Sequence, residues 1–345
     1  MFTGAMMMLC RGGDRVPVVN LGIVPLGIRS RDTAPFGLGI PPLPGALGRV
    51  RNALLTVVAD RVVFASLQRF AQQLVGATTG GRLTTPFLNW PALADAVVQF
   101  TVPGFEYPRG DLPDTVRFVG PMSRTQPSGV ALPDWWNDLD GSRPVVHVTQ
   151  GTVANRDLGA LIEPTIEGLA DMGVLVVVST GGRDLPDRAL PAHVRVAPHL
   201  PYDQLLPRTD VLVTNGGYGG VHYAMEHGVP LVTAGRTEDK IEVTARVAWS
   251  GVGIDLRGRC ATPSGPFSRT RATASAAPRS GPRSVARPGW PGSRTSSRVW
   301  GRPSEVTSGC GKTCGETGQA GSGWALASGT DTSRGVSATR RVALR

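Results

Sequence analysis

Residues 210–234, DVLVTNGGYGGVHYAMEHGVPLVTA, contain two apolar runs separated by a glycine-rich turn and a helical pattern. The runs at 210–214 and 229–234 have the length and the Val and Leu content of buried strands, whereas 217–227 has helical spacing. Two strands joined through a crossing helix pair in parallel. This stretch therefore predicts a parallel sheet with helices packed on it.

The same alternation extends over residues 144–257. Fully apolar strands that alternate with amphipathic helices indicate a sheet covered on both faces. The predicted fold class is α/β, with a doubly wound parallel sheet in this part of the chain. The other predicted elements are strands at 145–149, 174–179 and 194–198 and helices at 157–171 and 239–249.

The residues before this region have a looser pattern. Residues 16–23 are predicted to form a buried strand, and the segment from Leu47 has apolar residues at helical spacing over several turns, which predicts one long amphipathic helix. The Pro- and Gly-rich stretch between them predicts a loop. Short strands are predicted within DAVVQFTVPGFEYP and VRFVGP, and 123–143 is predicted to be a linker.

The positive charge of the chain lies in its last quarter. The formal net charge is +10, but residues 258–345 contain 14 Lys and Arg against 3 Asp and Glu, so the rest is close to neutral. These residues are rich in Gly, Ser, Pro and Arg and poor in Leu, Ile and Val, a composition that cannot bury a core. Two interpretations stay open: a disordered basic tail, or a shifted reading frame.

The number of cysteines and the sequence of the N-terminus both indicate the cellular compartment of the protein. The four cysteines (Cys10, Cys260, Cys310 and Cys314) are too few and too unevenly placed for a disulfide framework, which favours a reducing cytoplasm. The start shows no signal peptide, and no run is long enough for a membrane span. CGKTC at 310–314 lacks a nearby His and a second pair, so no metal site is predicted.

The glycines of residues 216–220 follow a strand and precede a helix. In parallel α/β sheets, ligands bind beyond the carboxyl ends of the strands, and phosphates bind at helix N-termini where free amides face them. Glycines let such amides approach a diphosphate, although close packing explains many glycine turns equally well. The spacing is neither the G-x-G-x-x-G dinucleotide fingerprint nor a P-loop.

At this point the sequence resembles a known family. HLPYDQLLPRTDVLVTNGGYGGVHYAMEHGVPLV followed by EDKIEVTARVAWSGVGIDL resembles the nucleotide-sugar-binding half of the UDP-glycosyltransferase superfamily, near its bacterial macrolide-glycosyltransferase-like members of GT-B fold. RDTAPFG, FTVPGFEYPR and VRFVGP resemble the later part of the family's acceptor-binding domain. The resemblance implies a partial acceptor-binding lobe over 1–122, a Rossmann-like donor domain over 144–257, and a chain truncated at its N-terminus.

The resemblance implies a donor-diphosphate site on two loops. TQGTVAN corresponds to the first strand-to-helix turn of the donor domain, and the glycine turn supplies the other loop. Asn215 stands where the family usually has a histidine, and Gly220 where it usually has Ser or Thr. The predicted diphosphate contacts are Gly151, Thr152, Asn215, Gly216, Gly217, Gly219 and Gly220.

The resemblance also implies contacts to the base, the ribose and the sugar. His199 stands where an aromatic side chain usually stacks on the base, with Leu200 and Tyr202 beside it, and Tyr223 replaces the usual ribose-binding Glu. EDK at Glu238, Asp239 and Lys240 stands at the donor-sugar position, with Asp239 preferred. For EDK, a solvated helix N-terminus is the alternative interpretation.

The catalytic base that the resemblance implies, a histidine near the start of the acceptor domain, is absent from this sequence. His147 lies within an apolar strand and is predicted to be a hydrogen-bonded core residue. His193, His222 and His227 fall on the donor side and are not assigned as the base. Asp32, in RSRDTAPFG, is the first candidate to replace it.

The predicted function is transfer of a sugar, with inversion, from a UDP- or dTDP-sugar to a small hydroxylated acceptor, by a chain that is inactive as given. No cofactor, metal or membrane span is predicted, and the protein is expected to be a cytoplasmic monomer or weak dimer. One alternative is a nucleotide-sugar-binding remnant without catalysis. A second is a nucleic-acid-binding protein acting through the Arg-rich tail, and a third is a different GT-B enzyme such as an epimerase.

Overall fold

The computed structural model describes residues 3–11, 13–122, 129–153, 155–183 and 189–257. The predicted disorder of 258–345, and Cys260, Cys310 and Cys314 with it, lie outside the described residues. Within the described ranges, no helix combines the length and the apolar character that crossing a bilayer requires.

The first half of the chain has a small parallel sheet. Its strands β1 (Val19–Gly22), β2 (Ala96–Gln99) and β3 (Val116–Phe118) lie in the order β1-β2-β3. Leu21 is paired with Val98, and Val98 with Arg117, so the strands are in parallel register. The helices here are α1 (Thr3–Cys10), α2 (Gly45–Val58) and α3 (Ala65–Thr79).

The long helix predicted from Leu47 is not continuous. A π-helical turn, Ala59–Val63, separates α2 from α3, and the Phe64 amide donates to the Ala59 carbonyl at 2.8 Å, an i to i−5 bond. The β-branched pair Val57–Val58 precedes the π turn and the pair Val62–Val63 ends it, and such residues weaken helix propensity. The apolar stripe was also wrong as a core face, because α2 buries Gly48 and Asn52 while Leu47 and Leu54 are exposed.

The second half has a six-stranded parallel sheet, which confirms the predicted α/β class. The strands lie in the order β6-β5-β4-β7-β8-β9. They are β4 (Val145–Thr149), β5 (Leu175–Ser179), β6 (Val194–Ala197), β7 (Val211–Thr214), β8 (Leu231–Thr233) and β9 (Gly253–Asp255). The helices are α4 (Ile162–Gly168), α5 (Tyr202–Leu205), α6 (Tyr218–Glu226) and α7 (Lys240–Ser250).

Alternate residues of the central strand face opposite sides of this sheet. Val146 and Val148 pack with α4 in one core cluster, whereas Val145 packs with Trp136 and Leu205 in another. This two-sided burial accounts for the fully apolar strands in the sequence. The domain boundaries predicted around 123, 144 and 258 stay a prediction.

A buried charge cluster joins the Pro- and Gly-rich loop before α2 to helix α7. Arg246 Nε donates to Glu106 Oε2 at 3.0 Å and Arg246 Nη1 to Glu242 Oε2 at 2.7 Å, and all three side chains are at most 5% exposed. Glu106 accepts from the Leu26 amide, and Glu242 accepts from the amides of Gly37 and Gly39, each at 2.8 Å.

The charged state of this cluster follows from its surroundings. Burial alone lowers the pKa of Arg246, but the carboxylates of Glu106 and Glu242 raise it, and the net shift is upward. The guanidinium also lies over the Tyr107 ring, 4.1 Å from its centroid. The Arg246 cation is therefore held between two carboxylates and an aromatic face.

We expect Arg246→Met to reduce the free energy of unfolding by about 3–5 kcal/mol, because it leaves the buried Glu242 carboxylate without its cation and Glu106 with Arg109 alone, whose Nη1 is 3.7 Å from Glu106 Oε2. Denaturant unfolding of the full chain measures this. Arg61→Met, at an exposed position of the π turn, is the control and should change the value by less than about 0.5 kcal/mol. A loss below about 1 kcal/mol in Arg246→Met would show that the cluster contributes little.

Candidate functional site

The candidate site lies where the strand order of the larger sheet reverses. β4 is followed along the chain by β5 and β6 on one side, and β7 begins the series on its other side. The crevice beyond the carboxyl ends of two such strands is the usual ligand site in doubly wound sheets. The loops that follow β4 and β7 therefore meet at this point.

The two loops are hydrogen-bonded to each other. Asn215 Nδ2 donates to the Gln150 carbonyl at 2.6 Å, and the Gln150 side chain donates to the Asp157 carbonyl at 2.7 Å and accepts from the Ile162 amide at 3.3 Å. Gln150 was missed in the sequence because a lone Gln after a strand gives no signal. Asn215, predicted to donate to a phosphate, instead holds the two loops together with at least one of its amide hydrogens.

The four glycines after β7 have two different roles. Gly216 has φ +86°, and a Cβ there would lie 2.6 Å from Thr244 Cγ2 on α7, so packing and backbone conformation both require glycine. Gly217 is the N-cap of α6 with φ −62°. Gly219 and Gly220 lie in the first helical turn and not in the preceding loop, and a Cβ on either would have no heavy atom within 4 Å.

The start of α6 presents unused backbone donors. The first helical bond in this turn runs from the Val221 amide to the Gly217 carbonyl at 3.0 Å. The amides of residues 218–220 precede it and lack intrahelical acceptors. Together with the helix dipole, such amides favour an anion at this edge of the sheet.

The loop after β4 contributes less than predicted. The Gly151 amide, predicted as a donor to diphosphate, already donates to Thr149 Oγ1 at 3.1 Å. Gly151 has φ +73°, which favours glycine at this position irrespective of a ligand. Thr152 is exposed, so its hydroxyl is accessible to a ligand.

The residues predicted to contact the nucleobase differ in which of their groups a ligand can reach. His199 is exposed, but Leu200 is buried in the core, which leaves only its backbone for a ligand. The Tyr202 hydroxyl lies inside the protein, 3.2 Å from His147 Nε2, and burial raises its pKa. Its assignment to the base edge was therefore wrong for the hydroxyl, because the polar end faces the sheet. The rings of Tyr202 and Tyr223 pack edge to face, 6.1 Å apart.

The predicted donor-sugar trio forms the start of α7, beside the glycine turn, with Asp239 at the N-cap and Glu238 exposed, so a helix N-terminus that is partly solvated describes it as well. Lys240 is 6% exposed and forms an ion pair with Glu238, which has φ +58°. A Cβ on Gly235 would lie 1.7 Å from the Asn215 carbonyl and 2.9 Å from Lys240 Cδ, so the lysine stem packs next to the loop after β7. Burial raises the pKa of Asp239.

Two residues of α6 that the sequence did not single out contact the end of β2. Tyr218 Oη accepts from Gln99 Nε2 at 3.0 Å, and His222 Nε2 lies 2.6 Å from Thr101 Oγ1. Helix α6, which presents the free amides, is therefore held in place by contacts with residues at the end of β2. Contacts between residues more than 100 positions apart leave no local sequence signal.

Asp32 does not have the surroundings of a general base. Its carboxylate accepts from the Gly110 amide at 2.8 Å and from Arg49 Nε at 2.9 Å, and these bonds lower its pKa. A base is favoured by a raised pKa, so these contacts argue against Asp32 as the base, and that assignment stays a prediction. The hydrogen bond from the Gly110 amide to Asp32 instead holds the loop before α2 against residue 110.

His147 is confirmed as a core residue. It is fully buried on β4, Nδ1 donates to the Val177 carbonyl at 2.9 Å, and burial lowers the pKa of the ring to about 4. No group of three or more potential metal ligands occurs among the described residues.

The chain matches known glycosyltransferases. Residues 163–278 match the family model for the C-terminal domain of erythromycin biosynthesis protein CIII-like proteins. The chain is 49% identical over 245 residues to 4'-demethylrebeccamycin synthase of Lentzea aerocolonigenes, covering 71% of this chain and 58% of that protein. It is 39% identical over 261 residues to UDP-glycosyltransferase 2 of Phaeomoniella chlamydospora, covering 71% and 55%.

The chain belongs to the UDP-glycosyltransferase superfamily. It spans between half and three fifths of the length of these curated relatives. A crystal structure of the glycotransferase of kitacinnamycin aligns with a TM-score of 0.47 at 22% identity, covering 61% of this chain and 54% of that one.

We expect His147 to make the stability of this UDP-glycosyltransferase homologue depend on pH. Its pKa is about 4 when folded against 6.5 as the reference. The unfolded chain therefore binds a proton first as pH falls, and stability present above pH 6.5 is lost toward pH 4, by about 3 kcal/mol.

Comparison of wild type with His147→Gln in denaturant unfolding at pH 7 and pH 4 measures this difference. The wild type should lose about 3 kcal/mol more than the variant over that interval. His199→Gln, at an exposed imidazole, controls for loss of a histidine as such. Equal pH dependence of wild type and His147→Gln would contradict the burial argument.

Proposed function

We propose that the chain binds a nucleoside diphosphate sugar at the switch point of its larger sheet. The observation that carries this is the start of α6, where three backbone amides without intrahelical acceptors face the edge at which β4 and β7 end. A diphosphate supplies the anionic oxygens that such amides bind. The open space above Gly219 and Gly220 leaves room for its approach.

The rest of the donor is assigned to neighbouring groups. Thr152 is the exposed hydroxyl on the opposite loop, and His199 and the Leu200 backbone are proposed for the base. Tyr223 is proposed for the ribose, where a phenol makes one hydrogen bond instead of the pair that a carboxylate makes. Asp239, Glu238 and Lys240 are proposed for the sugar hydroxyls, because they lie beside the glycine turn. The relatives named for UDP support uracil as the base. Thymine is proposed as the alternative.

The proposed reaction is transfer with inversion to a small hydroxylated acceptor. The acceptor oxygen attacks the anomeric carbon from the face opposite the leaving group, and the bond from that carbon to the phosphate oxygen breaks. The nucleoside diphosphate leaves with the electron pair, and the acceptor proton passes to a base. The amides at the start of α6 stabilise the charge that develops on the leaving phosphate. We propose that this transfer requires neither a metal ion nor an organic cofactor.

The residues of this chain account for binding of the donor in that reaction better than they account for the catalytic base. Its five histidines are all at positions 147–227, in the donor half. His147 and His222 are buried, and His193 Nε2 lies 3.4 Å from the Ile166 carbonyl. None of these three is placed to take a proton from an acceptor hydroxyl. Binding of the nucleotide is therefore expected to be separable from turnover.

We expect Gly217→Val to reduce UDP binding at least about tenfold, or ~1.4 kcal/mol. The backbone at Gly217 is in a conformation that valine adopts, and its Cβ would lie 4.0 Å from Asn215 Oδ1, so the fold should tolerate the change. The branched side chain would instead fill the space next to the free amides. Titration calorimetry with UDP and dTDP measures the effect.

Gly76→Val is the matched control, since Gly76 lies in α3 with only the Gly81 carbonyl at 4.0 Å from its Cβ position. Its UDP affinity should equal that of the wild type. Thermal unfolding of both variants separates loss of binding from loss of fold. UDP binding that is unchanged in folded Gly217→Val would refute the diphosphate assignment.

We expect the polypeptide as given to show no multiple turnover, because absence of a general base typically costs two to four orders of magnitude in rate. The chain would be incubated with UDP- and dTDP-sugars and a panel of phenolic and macrolide acceptors, and glycosides would be sought by mass spectrometry. Sustained product formation would contradict this. Binding of UDP without product would support the alternative of a nucleotide-sugar-binding protein without catalysis.

A further inference from the structure

The first turn of α6, which carries the free amides, has a sequence that stabilises a helix start poorly. Its N-cap is Gly217, which has no side chain to bond a backbone amide, and no acidic residue lies in the first turn. Gly219 and Gly220 follow, and glycine is a poor helix former because it loses the most backbone freedom on folding. The order of this turn therefore depends on contacts with other parts of the protein.

One such contact is made by Tyr218, the first residue of α6. Its hydroxyl accepts from Gln99 Nε2 at 3.0 Å, and the same Nε2 donates to the Val24 carbonyl at 2.7 Å. Both hydrogens of the amide nitrogen are thereby used. Gln99 is the last residue of β2 and is 1% exposed. Its side chain therefore joins the loop after β1 to the start of α6.

Gly22 of β1 makes room for the Gln99 side chain. The two residues are paired across the strands, and a Cβ on Gly22 would lie 1.9 Å from Gln99 Oε1. Since that distance is far inside van der Waals contact, any other residue at position 22 would displace the Gln99 amide. A buried amide is also unfavourable unless it is hydrogen-bonded. Two positions of the smaller sheet are therefore used to place one amide group against α6.

The second contact is made by His222, one helical turn after Tyr218. Its Nδ1 donates to the Tyr218 carbonyl at 2.8 Å, so the neutral ring accepts at Nε2, which lies 2.6 Å from Thr101 Oγ1. Burial lowers the pKa of His222, which favours the neutral ring. Thr101 is fully buried, and its carbonyl accepts from the Gly120 amide at 3.1 Å. The smaller-sheet half therefore also fixes the Tyr218 carbonyl, through His222.

Aromatic rings surround both contacts. The Phe105 ring packs edge to face on His222 with 5.0 Å between centroids, and the rings of Tyr218 and His222 are 4.2 Å apart. Hydrogen bonds in such surroundings are stronger than in water, and a lost partner leaves a polar group buried without compensation. Removal of one hydroxyl here should therefore affect the backbone of α6.

The two contacts and the free amides lie on different faces of α6. Tyr218 and His222 are buried, whereas Gly219 is exposed and Gly220 is half-buried with open space around its Cβ position. A capping side chain would occupy amides that a diphosphate needs. Holding the turn from its buried face orders it and leaves those amides accessible.

We propose that Gln99 and Thr101 are positioning residues for the donor diphosphate, because through Tyr218 and His222 they hold the amides of residues 218–220 in the orientation that binds it. The inference rests on the diphosphate site proposed above. Gln99 and Thr101 act through α6 and do not contact the ligand. Their effect is therefore confined to the phosphate part of a nucleotide.

The test compares UDP with uridine, which lacks both phosphates, in ligand-observed NMR titrations of the full chain. The ratio of the two affinities isolates the contribution of the diphosphate, and the wild type should bind UDP more tightly. Thr101→Val keeps the shape of the side chain and removes the hydroxyl, and Tyr218→Phe removes the acceptor of Gln99. Each should lower the ratio at least about threefold and leave the uridine affinity unchanged.

Two variants control for a merely structural effect. Thr101→Ser keeps the hydroxyl and should retain the wild-type ratio. Thr115→Val removes a buried hydroxyl of the same half that has no hydrogen-bond partner among the described residues, and it should also retain the ratio. Thermal unfolding identifies variants that fail to fold. Should Thr101→Val fail, Gln99→Met, which cannot donate, replaces it with the same expected result.

Amide hydrogen exchange in the protein without nucleotide measures the positioning directly. The Val221 amide makes the first hydrogen bond within α6, to the Gly217 carbonyl, and it should exchange faster in Thr101→Val than in Thr101→Ser. An unchanged ratio in folded Thr101→Val and Tyr218→Phe, or an equal loss in Thr115→Val, would overturn the proposal. Equal affinity of the wild type for UDP and uridine would instead refute the diphosphate site, and Val221 exchange would then decide whether the contacts order the turn.

Discussion

A buried cluster of Glu106, Arg109, Arg246 and Glu242 joins the loop before α2 to helix α7. Removing these charges from water costs several kcal/mol per ion, so the cluster is stable only because two carboxylates and two guanidinium groups neutralise one another. Their remaining oxygens bind amides of Leu26, Gly37 and Gly39, which lie in a loop that has no strand or helix of its own. The loop before α2 therefore takes its shape from α7. Because the same loop carries Pro35 and Phe36, which line a pocket together with Glu242 and Arg246, the cluster also shapes that pocket.

The pattern of apolar residues was sufficient to predict the larger sheet, because parallel strands that are buried on both faces are apolar along their whole length. It failed in the helix after residue 45. The apolar residues there are exposed and the small residues of α2 are buried, so an apolar stripe alone did not identify the core face. The π turn at 59–63 shifts the helical register by one residue, and the two pairs of valines around it were too weak a signal to predict it. The cluster around Arg246 was equally hidden, since Glu106 and Arg246 are 140 positions apart.

The glycine turn shows why a motif predicts a site better than it predicts the roles within it. Four glycines in five positions look equivalent in the sequence, yet Gly216 is required by its positive φ and by Thr244, whereas Gly219 and Gly220 face open space. Gly217, Gly219 and Gly220 therefore have no packing reason to lack a side chain, in contrast to Gly216. Asn215 and Gly151 were assigned to phosphate by position, but both have donors engaged in holding the loops. The proposed ligand binding at this edge therefore rests mainly on backbone amides, which the identities of the side chains cannot reveal.

Asp32 and Asp60 illustrate how similar carboxylates acquire different roles. Each pairs with an arginine, and both are in the smaller-sheet half. Asp32 also accepts from the Gly110 amide, so both of its oxygens are used in fixing a loop. Asp60 pairs with Arg29 through one oxygen, and both residues line an open pocket beside α3. The two bonds to Asp32 favour its ionised form, which makes that carboxylate a weaker base. The two carboxylates therefore differ in what their oxygens hold: Asp32 fixes the backbone of residue 110, whereas Asp60 holds the Arg29 side chain.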